Sequence, residues 1–183
     1  WTENPEFEPL YLGTRWAELG DISPCLVRIK AQNDPILAKF LNASRQEWGH
    51  LVFSDKPWDQ LVAHFRWLTS VMHPQGEEVL LRIADPAVTH ALLSHAETIK
   101  DPTLFGPCVQ VVTADAALGC WHLNRRQGIS SEPNHSKRYR LSLEFFALAA
   151  RAGNTGNLRE LVRPSLLRLS ASLGDSLFLL ARC

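Results

Sequence analysis

Up to residue 124 the chain alternates between short apolar runs with strand character and longer stretches whose apolar residues recur at helical spacing. Pro24-Cys25-Leu26-Val27-Arg28-Ile29 predicts a strand, and Asp34-Pro35 then opens a helix through Leu37, Phe40 and Leu41. Aspartate suits the cap and proline the first helical turn. Leu51-Val52-Phe53 predicts a second strand. Ser54-Asp55-Lys56-Pro57 starts a helix with Trp58, Leu61, Val62, Phe65, Leu68 and Met72 on one face, and His73-Pro74-Gln75-Gly76 ends it. Val79-Leu80-Leu81-Arg82-Ile83 predicts a third strand, followed by Asp85-Pro86 and a helix through Val88, Leu92 and Leu93. Val109-Gln110-Val111-Val112 and Leu118 to Leu123, joined through Ala114-Asp115-Ala116-Ala117, predict an antiparallel hairpin.

The order strand, Asp-Pro, helix thus occurs twice. Strands separated by helices favour βαβ units and a largely parallel sheet, because a parallel neighbour requires a crossover. From Ser136 onward only helical periodicity remains. Leu141, Phe145, Leu148 and Ala149 form one stripe ending at Gly153, and Leu158, Leu161 and Val162 begin another. Leu166, Leu169, Leu173, Leu177 and Leu180 form a third, with Pro164 and Gly174 dividing the region. The expected fold class is α/β: a mixed sheet with flanking helices in an N-terminal lobe, residues 1–126, followed by a smaller all-helical C-terminal lobe, residues 136–183. Residues 127–135, rich in Gly, Ser, Pro and Asn, are the expected linker.

Composition narrows the function classes. With 183 residues, 45% of them hydrophobic and 21% charged, the chain can bury a core without metal or disulfide. Nineteen basic residues balance nineteen acidic ones, so no bulk field draws the protein to nucleic acid or an anionic membrane. The charge is uneven: 8 basic and 12 acidic side chains in residues 1–90, against 11 and 7 in residues 91–183. Cys25, Cys108, Cys120 and Cys183 lie far apart, which fits free thiols in a reducing cytosol. Apolar runs such as Leu177-Phe178-Leu179-Leu180-Ala181 fall short of the roughly 20 residues a membrane helix needs, so no membrane association is expected.

Candidate chemistry is sparse. His90 and His95 are five apart, off the spacing that aligns ligands on a helix face. The nearest approach to a metal set is Cys120, His122 and His135, since alternate strand residues share a face. Core packing of Cys120 and a surface His122 is the favoured reading, and no metal is expected. No G-x-S-x-G, strand-to-helix nucleophile elbow or glycine-rich phosphate cradle is present. Arg82 and Asp85 resemble an anion site with a base, but Asp85 already has a capping role. No catalytic residue and no cofactor are therefore expected.

The basic cluster Arg125, Arg126, Lys137, Arg138 and Arg140, with Tyr139 inside it and only Glu132 opposing, has three readings: a solvated linker, a nucleic-acid patch, or a protein-binding patch. Among six tryptophans, Trp58 is expected in the core. Trp67 falls off its helix's apolar stripe, beside Gln60 and His64, and so either packs under another element or lies on a contact surface.

One series of motifs runs in order through the first lobe: Leu10-Tyr11-Leu12-Gly13-Thr14, Ser23-Pro24-Cys25-Leu26-Val27, Trp48-Gly49, Phe65-Arg66-Trp67-Leu68, Gly76-Glu77-Glu78-Val79-Leu80-Leu81-Arg82, Asp85-Pro86 and Phe105-Gly106-Pro107. Over roughly residues 9–124 this series resembles the Tap/Tec adaptor family of bacterial type VI secretion. The resemblance implies a cytoplasmic, non-enzymatic chaperone or adaptor that binds a toxic effector and loads it onto the VgrG spike. Two departures stand out: the family's leading strand and helix upstream of the Leu-Tyr motif are lacking, and Ala87 follows Asp-Pro where arginine is common. On this reading the expected partner surface comprises Arg125, Arg126, Arg138, Tyr139, Arg140 and Trp67. The expected partners are the effector cargo and the VgrG spike. The alternative is a nucleic-acid-binding domain using segment 125–140.

Overall fold

Along each central strand, alternate side chains enter two different hydrophobic clusters, as a sheet covered on both faces requires. The computed structural model describes residues 6–128, 136–145 and 176–182. In chain order the elements are β1 (Phe7–Pro9), β2 (Pro24–Ile29), α1 (Pro35–Asn42), β3 (Gly49–Ser54), α2 (Trp58–Leu68), β4 (Ser70–Met72), β5 (Glu78–Leu80), α3 (Pro86–Ile99), β6 (Cys108–Asp115), β7 (Cys120–Arg125) and β8 (Ser176–Arg182). Leu26, Val52, Val111, Phe178 and Leu180 pack on one face with Leu61 and Phe65 of α2 and Leu92 and Leu93 of α3. Val27, Leu51, Phe53, Val112 and Leu179 pack on the other with Leu37 and Phe40 of α1.

The main sheet has six strands in the order β1-β2-β8-β3-β6-β7, and every neighbouring pair is antiparallel. The expectation of a largely parallel sheet is therefore corrected, yet its signal has a physical source. Both β2 and β3 run antiparallel to β8, so they point the same way across α1. They form a βαβ crossover with a strand from far along the chain wedged between its two members. Sequence order reveals the crossover but not the insertion.

The expected all-helical C-terminal lobe is also corrected where the structure describes it. Residues 176–182 are a strand at the centre of the sheet, pairing Leu26 with Leu180 on one side and Leu51 with Leu179 on the other. The three-residue step between Leu177 and Leu180 mimics a helix, but the unbroken run Phe178-Leu179-Leu180-Ala181 is what a strand buried on both faces needs. Leu141 and Phe145 join the core shared by α2 and α3, so residues 136–145 pack onto the α/β unit. The stripes expected between residues 146 and 175, and most of the 127–135 linker, lie outside the described residues.

Several local expectations hold. The Asp34 side chain accepts from Ile36 N at 2.9 Å, and Asp85 accepts from Ala87 N at 3.1 Å, each ahead of a proline that starts its helix. The hairpin of β6 and β7 forms, with Asp115 opposite Cys120. Helix α2 ends at Leu68 instead of Met72, because Ser70–Met72 pairs with Glu78–Leu80 in a separate two-stranded sheet. The expected free-thiol state holds for Cys108 and Cys120, but Cys25 is disulfide-bonded; Cys183 lies outside the described residues.

Gly106 shows why one motif needs its glycine. Its φ is +51°, and a Cβ there would overlap the ring of His64. That ring is fully buried and held by a 3.1 Å hydrogen bond between Nε2 and the Leu104 carbonyl, so it has little room to yield. Gly106→Ala combines a left-handed backbone with overpacking and is expected to destabilise by about 3 kcal/mol. A urea titration of both proteins checks this; equal midpoints would contradict it.

Candidate partner-binding site

Between β1 and β2 the chain makes an excursion over residues 10–23 that is fixed at its base and exposes three large apolar side chains among charged ones at its surface. Leu10 and Tyr11 are buried anchors. Tyr11 N donates to Ser23 Oγ at 3.0 Å, and Thr14 Oγ1 donates to the Tyr11 carbonyl at 2.8 Å. Gly13, at φ +76°, supplies the left-handed turn between them. Two 3-10 turns over Ala17–Ile22 follow, merged across a kink at Leu19. The outer surface presents Leu12 at 60% exposure, Leu19 at 37% and Ile22 at 65%.

The excursion is pinned to the small sheet. Trp16 Nε1 donates to Ser70 Oγ of β4 at 2.7 Å, and Arg15 Nη1 lies 2.8 Å from Glu78 Oε2 of β5. The other oxygen of Glu78 meets Arg138 Nε at 3.1 Å. Burial favours a protonated Glu78, but the Ser70 hydroxyl, Arg15 and Arg138 outweigh it and hold the carboxyl below its ordinary range. One carboxylate therefore ties the excursion, the small sheet and segment 136–141 together.

That segment is no solvated linker. Met72 N donates to the Tyr139 carbonyl at 2.7 Å and Leu141 N to the Met72 carbonyl at 2.9 Å, so it runs beside β4 with a bridge between Met72 and Arg140. Trp67 is buried beneath it: its indole Nε1 donates to the Lys137 carbonyl at 2.8 Å, and its ring meets Tyr139 edge-on at 6.3 Å. Of its two sequence readings, packing under another element is the one observed. Tyr139 donates to Asp101 Oδ2 at 3.1 Å; burial first, then the Asp101 charge, pushes its pKa up.

The residues expected to form one basic surface are thus distributed among separate contacts. Arg126 turns inward, donating to the carbonyls of Gly106 at 2.9 Å and Cys108 at 3.3 Å. Arg125 is exposed at the end of β7, its backbone N–H on Glu97 Oε1 at 2.8 Å. Arg138 is held by Glu78, while Arg140 is exposed, with a 3.5 Å contact to the Pro74 carbonyl. Arg82 and Asp85 form an ion pair at 2.7 Å, with the other Asp85 oxygen capping α3. The excursion with Leu12, Leu19 and Ile22 was missed as a surface: the three are spaced seven and three apart, as on a helix face, but Gly13 and Gly20 interrupt the segment and the chain forms turns there instead.

Residues 1–100 match the family described as a domain of unknown function, DUF4123. The chain belongs to this family. DUF4123 is associated with type VI secretion. No curated protein and no solved structure matches the chain. The DUF4123 match takes in β1 through α3, and so the whole excursion and the small sheet, while β6, β7 and β8 lie beyond it. No helix among the described residues is long and apolar enough to cross a membrane.

Proposed function

We propose that this DUF4123 protein is a non-enzymatic adaptor of type VI secretion that binds an effector in the cytoplasm and loads it onto the VgrG spike. The observation that carries the reading is the excursion: Leu12, Leu19 and Ile22 are exposed on a segment that is hydrogen-bonded at both ends and inside the family match. Apolar side chains held rigid in water suit a partner that covers them, because little ordering entropy is lost on binding. Arg15 and Arg138 are both paired with Glu78, and Glu18 and Asp21 are exposed beside Leu19 and Ile22, so the apolar side chains carry the contact with the effector. Arg125 belongs to a second contact, at the end of β7.

The nucleic-acid alternative has less support, since Arg126 and Arg138 are engaged with carbonyls and Glu78. Full-length tagged protein purified from its native cytosol is expected to retain a type VI effector or a VgrG spike. Replacing Leu12 and Ile22 together by Asp should lower that retention at least tenfold while leaving the unfolding midpoint unchanged. Retention of nucleic acid alone, lost at moderate salt as counterion release dictates, would overturn the proposal.

A further inference from the structure

Asp115, Cys120 and His122 bring three donor atoms of different chemistry to one point at the edge of the main sheet. Asp115 ends β6 and Cys120 begins β7 directly opposite, while His122 lies two residues on and shares the face of Cys120. Cys120 Sγ lies 3.9 Å from His122 Nε2, and that same nitrogen lies 2.9 Å from Asp115 Oδ2. All three donor atoms fall within 4.8 Å of one another.

A nucleophilic relay would need the two ring nitrogens to face different partners, sulfur on one and carboxylate on the other. Here one nitrogen faces both. Convergence on a single nitrogen is the geometry of chelation. Zinc bonds of about 2.3 Å to sulfur and about 2.0–2.1 Å to nitrogen and oxygen set donor separations of roughly 3.3–3.6 Å in a tetrahedron. The observed 3.9 Å and 2.9 Å bracket that range, within reach of small side-chain rotations.

The donors are also oriented from behind, as second contacts orient metal ligands. Asp115 Oδ1 accepts the Leu118 N–H at 2.8 Å in the hairpin turn, which leaves Oδ2 to face His122. The His122 ring stacks on His90 of α3 at 3.8 Å with the planes 7° apart. His90 is fixed in turn by Asn124 Oδ1 at 2.9 Å and Ser94 Oγ at 3.3 Å. His135, the third candidate donor in the sequence, lies outside the described residues; Asp115 is the third donor here.

We infer that Asp115, Cys120 and His122 form a binding site for a divalent transition metal of zinc type, clasping the β6–β7 hairpin. The mixed sulfur, nitrogen and oxygen set suits a borderline cation and disfavours magnesium or calcium, which take oxygen. All three donors are half-buried, and no fourth His, Cys, Asp or Glu joins them among the described residues, which leaves a position for water or an exogenous ligand.

The test is titration of the full chain, stripped with chelator, with Co2+ alone and then with Zn2+. One Co2+ per chain is expected, with a thiolate-to-cobalt charge-transfer band that Zn2+ abolishes by displacement. Cys120→Ser should remove the band and weaken zinc binding at least 100-fold. Asp115→Asn keeps an oxygen for the Leu118 N–H and so should preserve the turn while weakening binding tenfold or more. His73→Ala, on the loop between β4 and β5, should change neither. Cobalt bound without the charge-transfer band, or affinity indifferent to Cys120→Ser and Asp115→Asn, would overturn the assignment.

Discussion

Removal of residues 176–182 is expected to abolish cooperative folding. Strand β8 lies between β2 and β3, which have no ladder to each other, so its loss divides the sheet into a β1–β2 pair and a β3–β6–β7 set. Phe178, Leu179, Leu180 and Ala181 are essentially fully buried, split between the two faces of the sheet. Burial of one such large side chain contributes about 1.5–3 kcal/mol, so Phe178, Leu179 and Leu180 together supply roughly 5–9 kcal/mol. Whole-domain stabilities are about 5–15 kcal/mol. The strand's apolar contacts alone thus rival the net stability, before two ladders of backbone hydrogen bonds are considered. The truncated chain should show collapsed amide dispersion by NMR and no unfolding transition in urea. Addition of a peptide spanning residues 176–182 in trans should restore both, since a strand can be donated to an open sheet. A cooperative transition in the truncated chain at the full-length midpoint would disprove the central role of β8.

The second large effect concerns His50. It lies on β3 with no exposure, and neither ring nitrogen has a hydrogen-bond partner among the described residues. Its ring borders a cavity of about 20 Å³ lined mainly by apolar side chains, among them Phe65, Leu92 and Phe105. Burial in these surroundings lowers its pKa from 6.5 to about 3. The folded protein therefore refuses a proton that the unfolded chain accepts below pH 6.5. The sign follows: stability is intact above about pH 6.5 and declines as pH falls from there toward 3. Each pH unit in that window costs about 1.4 kcal/mol, so by pH 4.5 the loss is about 3 kcal/mol. His50→Leu removes the group that must charge. Urea unfolding at pH 7 and pH 4.5 should show the variant losing about 3 kcal/mol less than the parent between the two values. Identical losses would refute the assignment.

The elements of the fold differ in how far the sequence exposes them. The capping aspartates, the helix faces of α1, α2 and α3 and the β6–β7 hairpin are local features, written in periodicity and in Asp-Pro pairs, and all are present in the structure. Strand β8 was hidden because a short apolar run satisfies either period, and because its partners, β2 and β3, lie far away in sequence. Trp67 could be flagged as off its apolar stripe, but only the fold brings Lys137 and Tyr139 over it. The basic cluster is the opposite case: its residues are adjacent in sequence, yet Arg126, Arg138 and Tyr139 each have a different internal partner. Asp115 was assigned to the hairpin connection, and its register opposite Cys120 becomes visible only with the ladder.

The wedged strand also sets the order in which the sheet can assemble. Hairpin β6–β7 closes a short turn and β3 joins it across an intermediate distance, whereas the β2–β8 ladder joins the segments farthest apart in sequence, from Pro24 with Arg182 to Ile29 with Leu177. Long-range ladders form late, because the loop entropy must be surrendered before the contacts repay it. Until β8 arrives, β2 and β3 each present an unsatisfied inner edge to any other strand in the cell. The step that completes the fold is therefore also the step that closes its window for mispairing with a second copy, and the lifetime of that window is governed by the arrival of seven residues.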